Sequence, residues 1–340
     1  MDCEKPNTYA KAGVDIKREE QAISEIKDWM NKTFRFRKGK VGGVLGEIGS
    51  FANLIDLGEY ALAVCTDGVG SKVLVAQELG KYDTVGIDLV AMNVNDLICL
   101  GAEPICMVDY LAMQCMDYSI AKEIAAGIYL GAEQAQVSVI GGETASLPEI
   151  ICGVGKNGFD LAGTAVGLIK KDKIITGKKI REGDAVLGFA SSGIHSNGLS
   201  LARKVLPKNM WLNLLAPTRI YVQEILSLSR GYDFHGLANI TGGGVLNLLR
   251  LTCDFGFKLD NMPKPQMVFR QIKKEGEVSP KEMYKTFNMG VGFVAVVSED
   301  AAEKIVGKHG SDYQVAKIGE VVGEPGVEVV LEDESLTYKP

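Results

Sequence analysis

Histidine is scarce in this chain, with three in 340 residues. The seven cysteines are odd in number and scattered, and no two form a Cys-x-x-Cys pair. These shortages remove the usual zinc-ligand spacings, and no Ser-His-Asp order of a hydrolase stands out. No run of about 18 apolar residues occurs, the length that would suggest a membrane helix. An excess of basic residues is also missing. There are 37 Lys and Arg against 43 Asp and Glu, a net charge of −6. Nucleic acid wants a basic face, so no nucleic-acid partner is expected. The first residues, Met1-Asp2-Cys3-Glu4-Lys5-Pro6, lack the apolar stretch of a secretory signal. Cys65 and Cys99 sit inside apolar runs. The thiols therefore read as reduced core residues, and the expected location is cytoplasmic, with no membrane partner.

Glycine is abundant, at 40 residues with no collagen-like period. Such glycines mark turns where backbone must approach something closely. Hydrophobic residues make up 46% and charged residues 24%, as in ordinary globular proteins. The length suggests about two domains at roughly 100–200 residues each. The polar stretch Lys170-Lys171-Asp172-Lys173 divides them, giving domains 1–170 and 171–340.

The periodicity predicts a helix over 19–34, with Ile23, Ile26, Met30 and Phe34 on one face. It predicts strands at 60–66, 84–87, 105–110, 137–140 and 161–169, and helices at 88–100 and 119–135. The second half begins the alternation afresh. Strands are expected at 185–190, 235–240, 291–297 and 315–322. Helices are expected at 199–206, from Pro217 to Leu228, at 245–251 and at 301–308. Both halves alternate strand and helix, so each reads as an α/β-layered unit.

Five segments have the composition of a site. Asp67-Gly68-Val69-Gly70-Ser71-Lys72 ends a strand. Its carboxylate can face a cation on a phosphate, its glycines let amides approach oxygen, and Lys72 adds a point charge. It is neither a Walker A loop nor a dinucleotide fingerprint, and the same residues suit a tight turn with an Asp cap. Asn93, Asn95 and Asp96 lie within an apolar helix, where polar groups need a partner: a cation, or another helix. Gly141-Gly142-Glu143-Thr144 follows a short apolar strand, at the edge where open α/β sheets bind ligands. Ser191-Ser192-Gly193-Ile194-His195-Ser196-Asn197-Gly198 runs from strand to helix and forms a natural anion pocket. His195 within it could meet a phosphate or carry a proton. Thr241-Gly242-Gly243-Gly244 precedes a helix and offers bare amides, or serves simply as a sharp turn. His235 and His309 lack such surroundings and read as structural.

These segments, in this order, resemble the phosphoribosylformylglycinamidine cyclo-ligase family, also called aminoimidazole ribonucleotide synthetase. The resemblance runs from Tyr9-Ala-Lys-Ala-Gly-Val-Asp-Ile16 through Thr66–Lys72, Gly86–Met92, Asn95–Pro104, Gly141–Ala145 and Ser191–Gly198. It continues through Ala216-Pro-Thr-Arg-Ile-Tyr-Val222, Thr241–Gly244 and Glu282-Met-Tyr-Lys-Thr-Phe-Asn-Met-Gly-Val-Gly292. Each motif is moderately specific, and the ordered set is highly so. The resemblance implies an α+β subunit whose N-terminal domains pair across a homodimer into a barrel-like sheet, beside an α/β/α-type C-terminal domain. It implies ATP and Mg2+ as cofactors, with a ribotide substrate held between domains. Formylglycinamidine ribonucleotide would be closed to 5-aminoimidazole ribonucleotide, with ADP and phosphate released, in purine synthesis.

Carried onto this sequence, Asp67 and Asp96 take magnesium, with Glu143 a weaker third. Lys27, Gly68, Gly70, Ser71, Lys72, Asn93 and Asn95 fall on the nucleotide side. Ser192, Ser196 and Asn197, with Gly142, Thr144, Thr241, Gly242 and Gly243, line the ribotide side. His195 is the choice for proton transfer or for contact with the forming phosphate. Three departures stand out. Ile48-Gly49-Ser50-Phe51-Ala52 replaces a loop close to Gly-Gly-Phe-Gly. Met113-Gln114-Cys115 replaces a Thr-Gly-Lys-like turn. Asn239 stands where the family has histidine. The rivals are a sister enzyme, such as a thiamine-phosphate kinase or selenophosphate synthase, and a nucleotide-binding scaffold without turnover. The first would lack the His-Ser-Asn-Gly and Met-Tyr-x-Thr-Phe-Asn combination.

Overall fold

Alternation along Tyr60–Gly68 buries Ala61, Ala63 and Cys65 on one side and leaves Thr66 exposed on the other, as a strand covered on one face does. That strand belongs to a six-stranded sheet in a computed structural model of the chain. The structure describes residues 6–8, 10–12, 16–252 and 254–339, with side chains of the first helix from residue 21 onward. Cys3, Cys253 and half of the Tyr9–Ile16 motif (residues 9 and 13–15) lie outside these residues.

The first half contains α1 (Ile16–Asn31), β1 (Val44–Leu45), β2 (Asn53–Leu57), β3 (Tyr60–Gly68), α2 (Lys72–Leu79) and α3 (Val85–Ile98). It continues with β4 (Glu103–Met113), α4 (Tyr118–Ala135), β5 (Ser138–Ser146) and β6 (Phe159–Lys170). The sheet order is β1-β2-β3-β6-β4-β5, antiparallel except for the β4–β5 pair. Asp117 caps α4 by accepting from the backbone N–H groups of Ser119 and Ile120. α3 and α4 cover one face of the sheet. They approach so closely that a Cβ at Gly86 would lie 2.4 Å from the Ile124 carbonyl oxygen, and one at Gly127 would lie 2.3 Å from that of Asp83. The opposite face is apolar and uncovered, with Ile105, Val108, Tyr110 and Ile140 exposed.

The second half contains β7 (Ala185–Ala190), α5 (Leu199–Val205), α6 (Val222–Ser229), β8 (Gly236–Asn239), β9 (Gly256–Leu259), α7 (Met267–Glu275) and α8 (Pro280–Thr286). It ends with β10 (Val291–Val297), α9 (Glu299–His309), β11 (Val315–Val322), β12 (Gly326–Val330) and β13 (Ser335–Tyr338). These strands form a seven-stranded sheet ordered β13-β12-β9-β11-β7-β10-β8. β10 is buried along its whole length, which explains its unbroken run of apolar and small residues. The architecture is α+β, with two mixed sheets and helices on both.

Four expectations need correcting. Residues 84–87 do not form a strand: they cap and open α3, because Gly86 must face α4 at close range. Gly141–Thr144 does not follow the strand but lies inside β5. Pro217 does not start a helix, since residues 216–220 are irregular and α6 begins at Val222. Residues 244–250 form a 3-10 helix rather than an α-helix. The face gathered by Ile23, Ile26 and Met30 exists, but it points outward, with all three exposed.

Candidate active site

Asp67 lies near the end of β3 and Asp96 in the last turn of α3, so strand and helix bring two carboxylates together beneath a partly open surface. Burial raises both pKa values above the ordinary carboxylate range. Asp96 is pushed up to about 7, with the Asp67 charge adding to the burial. The Asn239 side-chain amide and the Arg250 charge oppose that rise. Two crowded acids with raised affinity for a proton are equally disposed toward a bound cation. The neighbouring Cys65 and Cys99 thiols are also pushed up by burial, with Asp96 contributing, which keeps them protonated and inert.

Asn93 serves the strand. Its amide donates to the Asp67 carbonyl at 3.2 Å and accepts from the Asp67 N–H at 3.1 Å, fixing where that carboxylate stands. Gly70 has φ +67 with open space where a Cβ would be, and Gly68 is partly buried on the same turn. Ser71 meets Ser200 at 3.2 Å. Lys27 is half-buried on α1, its Nζ 3.2 Å from the point a Gly49 Cβ would occupy.

Two assignments do not survive the geometry. Lys72 is fully buried and donates to Asp88 Oδ1 at 2.9 Å and to the Ala216 carbonyl at 2.6 Å, so its ammonium cannot lie along a phosphate. Asn95 turns away from the carboxylates. It donates to the Arg219 carbonyl and accepts from the Tyr221 N–H.

Glu143 is also separated from the pair. The register aligns Gly68 with Ala162, Ala162 with Tyr110 and Tyr110 with Glu143. Side chains alternate along each strand, so Glu143 projects to the sheet face opposite Asp67. Exposed Thr144, one residue on, returns to the helix-side face, while Gly142 abuts Asp109 so closely that a Cβ there would collide with its carboxylate. Among the described residues no group of three or more His, Cys, Asp and Glu side chains could hold a metal. The acidic centre is therefore a pair.

The hydroxyl-rich turn follows β7 and is held from below. Asn288 accepts from the Ser191 hydroxyl at 3.0 Å and donates to the Gly193 carbonyl at 2.9 Å. Gly198 must be glycine, because a Cβ would lie 2.2 Å from the Phe287 ring. The 282–292 motif is thus the bed of this turn. Ser192 is exposed, and Ser196 and Asn197 are half-buried. The Asn197 amide nitrogen is buried without a partner, a donor left for something else. Thr241, Gly242 and Gly243 lie alongside, and a Cβ on Gly242 would sit 3.1 Å from Asn197 Oδ1.

His195 sits beneath this turn rather than in its mouth. It is 2% exposed, holds φ +60, and its Nε2 accepts from the Ser192 N–H at 3.3 Å. Burial, with the nearby positive charges of Lys72 and Arg219, pushes its pKa down to about 3. The ring is neutral at physiological pH and out of reach of a substrate proton. The proton-transfer role is withdrawn, and the residue shapes the turn instead.

Asp96 and the turn are linked. Asn239 donates to Asp96 at 2.9 Å, and two residues later Thr241-Gly242 meets Asn197. Sequence reasoning missed Asn239 and Arg250 as participants. Arg250 lies over the Phe51 ring, 3.9 Å from its centroid, and donates to the Gly49 and Ser50 carbonyls. It closes one side of a cavity of about 300 Å³ that also touches Gly46, Glu47, Cys99 and Thr176. Its position just after the Gly-rich turn, with the Phe51 loop 200 residues away, left no local signal.

Residues 49–169 match the family described as AIR synthase related protein, N-terminal domain, and residues 181–332 match its C-terminal counterpart. The chain is thus an AIR synthase related protein. A phosphoribosylformylglycinamidine cyclo-ligase of Thermococcus kodakarensis is 51% identical over 333 residues, covering 95% of this chain and 97% of that one. One from Pyrococcus furiosus is 51% identical over 331 residues, covering 94% and 96%. On these grounds the chain belongs to the phosphoribosylformylglycinamidine cyclo-ligase family. Among solved structures, a thiamine monophosphate kinase from Aquifex aeolicus shares the fold at TM-score 0.65 and 17% identity, covering 95% of this chain and 99% of that one. The structure titled "T. maritima PurL complexed with ADP" shares it at TM-score 0.60 and 17% identity, over 87% of this chain and 46% of that one.

Proposed function

We infer that the protein is an ATP-dependent cyclo-ligase that converts formylglycinamidine ribonucleotide to 5-aminoimidazole ribonucleotide, with ADP and phosphate as the other products. What supports this at the level of the site is a link from Asp96 to the Asn239 side chain, then along the chain to Gly242, which lies against Asn197. It ties the cation-seeking pair to the anion-seeking turn.

The chemistry needs both ends. A formamide oxygen is a poor leaving group, and phosphoryl transfer from ATP to that oxygen makes it a good one. The amidine nitrogen then attacks the same carbon, the ring closes, and phosphate departs. The protein's task is to orient the reactants and hold charge. Asp67 and Asp96 fit a magnesium ion, since burial leaves both acids short of positive charge. Magnesium there would neutralise charge on the phosphoryl group in transit. Gly68, Gly70 and Lys27 are assigned to the nucleotide side, and Asn93 fixes the Asp67 backbone. Ser192, Ser196, Asn197 and the Thr241–Gly243 amides are assigned to the ribotide phosphate.

The protein is proposed to work as a homodimer in the cytoplasm. The uncovered apolar face with Ile105, Val108, Tyr110 and Ile140 supports pairing through the first sheet. The proposed domain boundary stays at 170/171, between the two matched segments. Purified protein incubated with the amidine ribotide, ATP and magnesium should release ADP and form the aminoimidazole ribotide in equal amounts. Nucleotide binding without ribotide-dependent ADP release would point instead to a scaffold.

A further inference from the structure

Helix α3 grips the other half of the molecule at two points. Asp88 and Asn95 are seven residues apart, close to two helical turns, and so share a face; both are fully buried. Asp88 Oδ1 accepts from three donors: Lys72 Nζ at 2.9 Å, the Thr218 N–H at 2.7 Å and the Thr218 hydroxyl at 2.6 Å. Lys72 also donates to the Ala216 carbonyl. Asn95 donates to the Arg219 carbonyl at 2.8 Å and accepts from the Tyr221 N–H at 3.0 Å. Segment 216–221 is therefore fastened to α3 along most of its length.

The other side of the same segment carries the hydroxyl-rich turn. The Ser192 hydroxyl donates to the Pro217 carbonyl, and Ser196 meets Thr218 at 3.4 Å. The Tyr221 hydroxyl and Arg219 both donate to the carbonyl of Ala190, the residue that leads into the turn. Asp96, the next residue after Asn95, belongs to the acidic pair.

We propose that Asp88 and Asn95 are positioning residues through which α3 fixes the spacing between the acidic pair and the turn, using segment 216–221 as a rail. This rests on the reading of that turn as the ribotide-phosphate site. A purely stabilising role explains the ion pair poorly. Apolar residues of similar volume usually replace a buried pair without loss, and here Asp88 Oδ2 is buried with no partner at all. What an apolar pair cannot supply is a single oxygen that fixes Thr218 by two bonds and orients Lys72 toward Ala216.

The test compares Thr218→Val, which removes the hydroxyl donor and keeps shape, with Thr218→Ser, which restores it. A Lys72→Met/Asp88→Leu double variant removes the ion pair. Expected for Thr218→Val is a rise of about tenfold in KM for the ribotide, the equivalent of one lost hydrogen bond, with KM for ATP within about twofold. Amide hydrogen exchange over 192–198 should accelerate in the same variant, and Thr218→Ser should return both readouts toward the parent. The double variant leaves the Thr218 donors and the Ala216 carbonyl unpaired, so it should melt below the parent and, if folded, still show the KM rise. Unchanged exchange over 192–198 in Thr218→Val overturns the inference. So does a folded double variant with parental KM. Ser192→Ala and Ser196→Ala test the underlying site reading separately. If both leave ribotide KM unchanged, that reading fails, and the exchange comparison alone decides the positioning role.

Discussion

Asn239, at the end of the edge strand β8, donates its side-chain amide to Asp96 on α3 at 2.9 Å. One hydrogen bond thus joins the seven-stranded sheet to the acidic pair of the other half. An amide keeps a neutral donor on Asp96 at every pH, which a titrating ring would not.

Asp96→Asn tests the pair. Turnover should fall by about 10²-fold or more, as when charge stabilisation at a transferring group is lost. Stability should move the other way. The folded-state pKa of Asp96, about 7, lies above its ordinary value of 3.8. The folded protein therefore binds the extra proton between those values, and stability falls as pH rises through that window. Relieved of a buried charge, the variant should melt a few degrees higher than the parent at pH 8 without metal. The difference should close toward pH 4. Thermal scans at both pH values decide it.

His195→Asn should keep the left-handed backbone, which asparagine tolerates. Because the parent imidazole is already neutral down to a pH of about 3, the pH–rate profile from 6 to 9 should keep its shape. Loss of one limb of that profile would restore a proton-transfer role to this residue.

Arg250→Met should free residues 49–51, whose carbonyls and ring it holds and whose Gly49 lies against Lys27, assigned to the nucleotide side. KM for ATP should rise by about tenfold, at roughly 1–3 kcal/mol for the charge-assisted bonds removed. Ribotide KM should change less. Arg250→Lys keeps the charge but loses the planar fork, and should recover only part of the effect.

Gly86→Ala should be severe. Its Cβ would lie 2.3 Å from the Ile128 nitrogen, backbone that cannot step aside. A cost of about 3 kcal/mol or more is expected, read from urea unfolding. Gly70→Ala, with open space and a positive φ, should cost only the backbone strain, about 1 kcal/mol.

Much of the fold was written in local pattern. Val291–Val297 and Val315–Val322 carry apolar periodicity strong enough to set their own limits, and the structure has both strands with those ends. The sequence signal failed where a distant partner decided the outcome. Val85 and Ile87 look like strand residues, yet Gly86 is demanded by α4, forty residues on. Lys72 in a glycine-rich turn has the composition of a phosphate ligand, and only Asp88 and Ala216 reveal it as an interior cation. Asp67, beside glycines at a strand end, and Asp96, polar within an apolar helix, were conspicuous as candidates from the sequence alone. Arg250 was not, since its partners are about two hundred positions away.

The near-contact of α3 with α4 at Gly86 and Gly127 bears on how the molecule comes apart. Two helices locked backbone to backbone cannot slide or fray singly, so their amides should exchange only when the whole half unfolds. The Gly46–Ser50 segment, exposed or half-buried and with its last two carbonyls resting on Arg250, belongs to the opposite class. A protease added to the native protein should cut there first, and nucleotide should slow the cut.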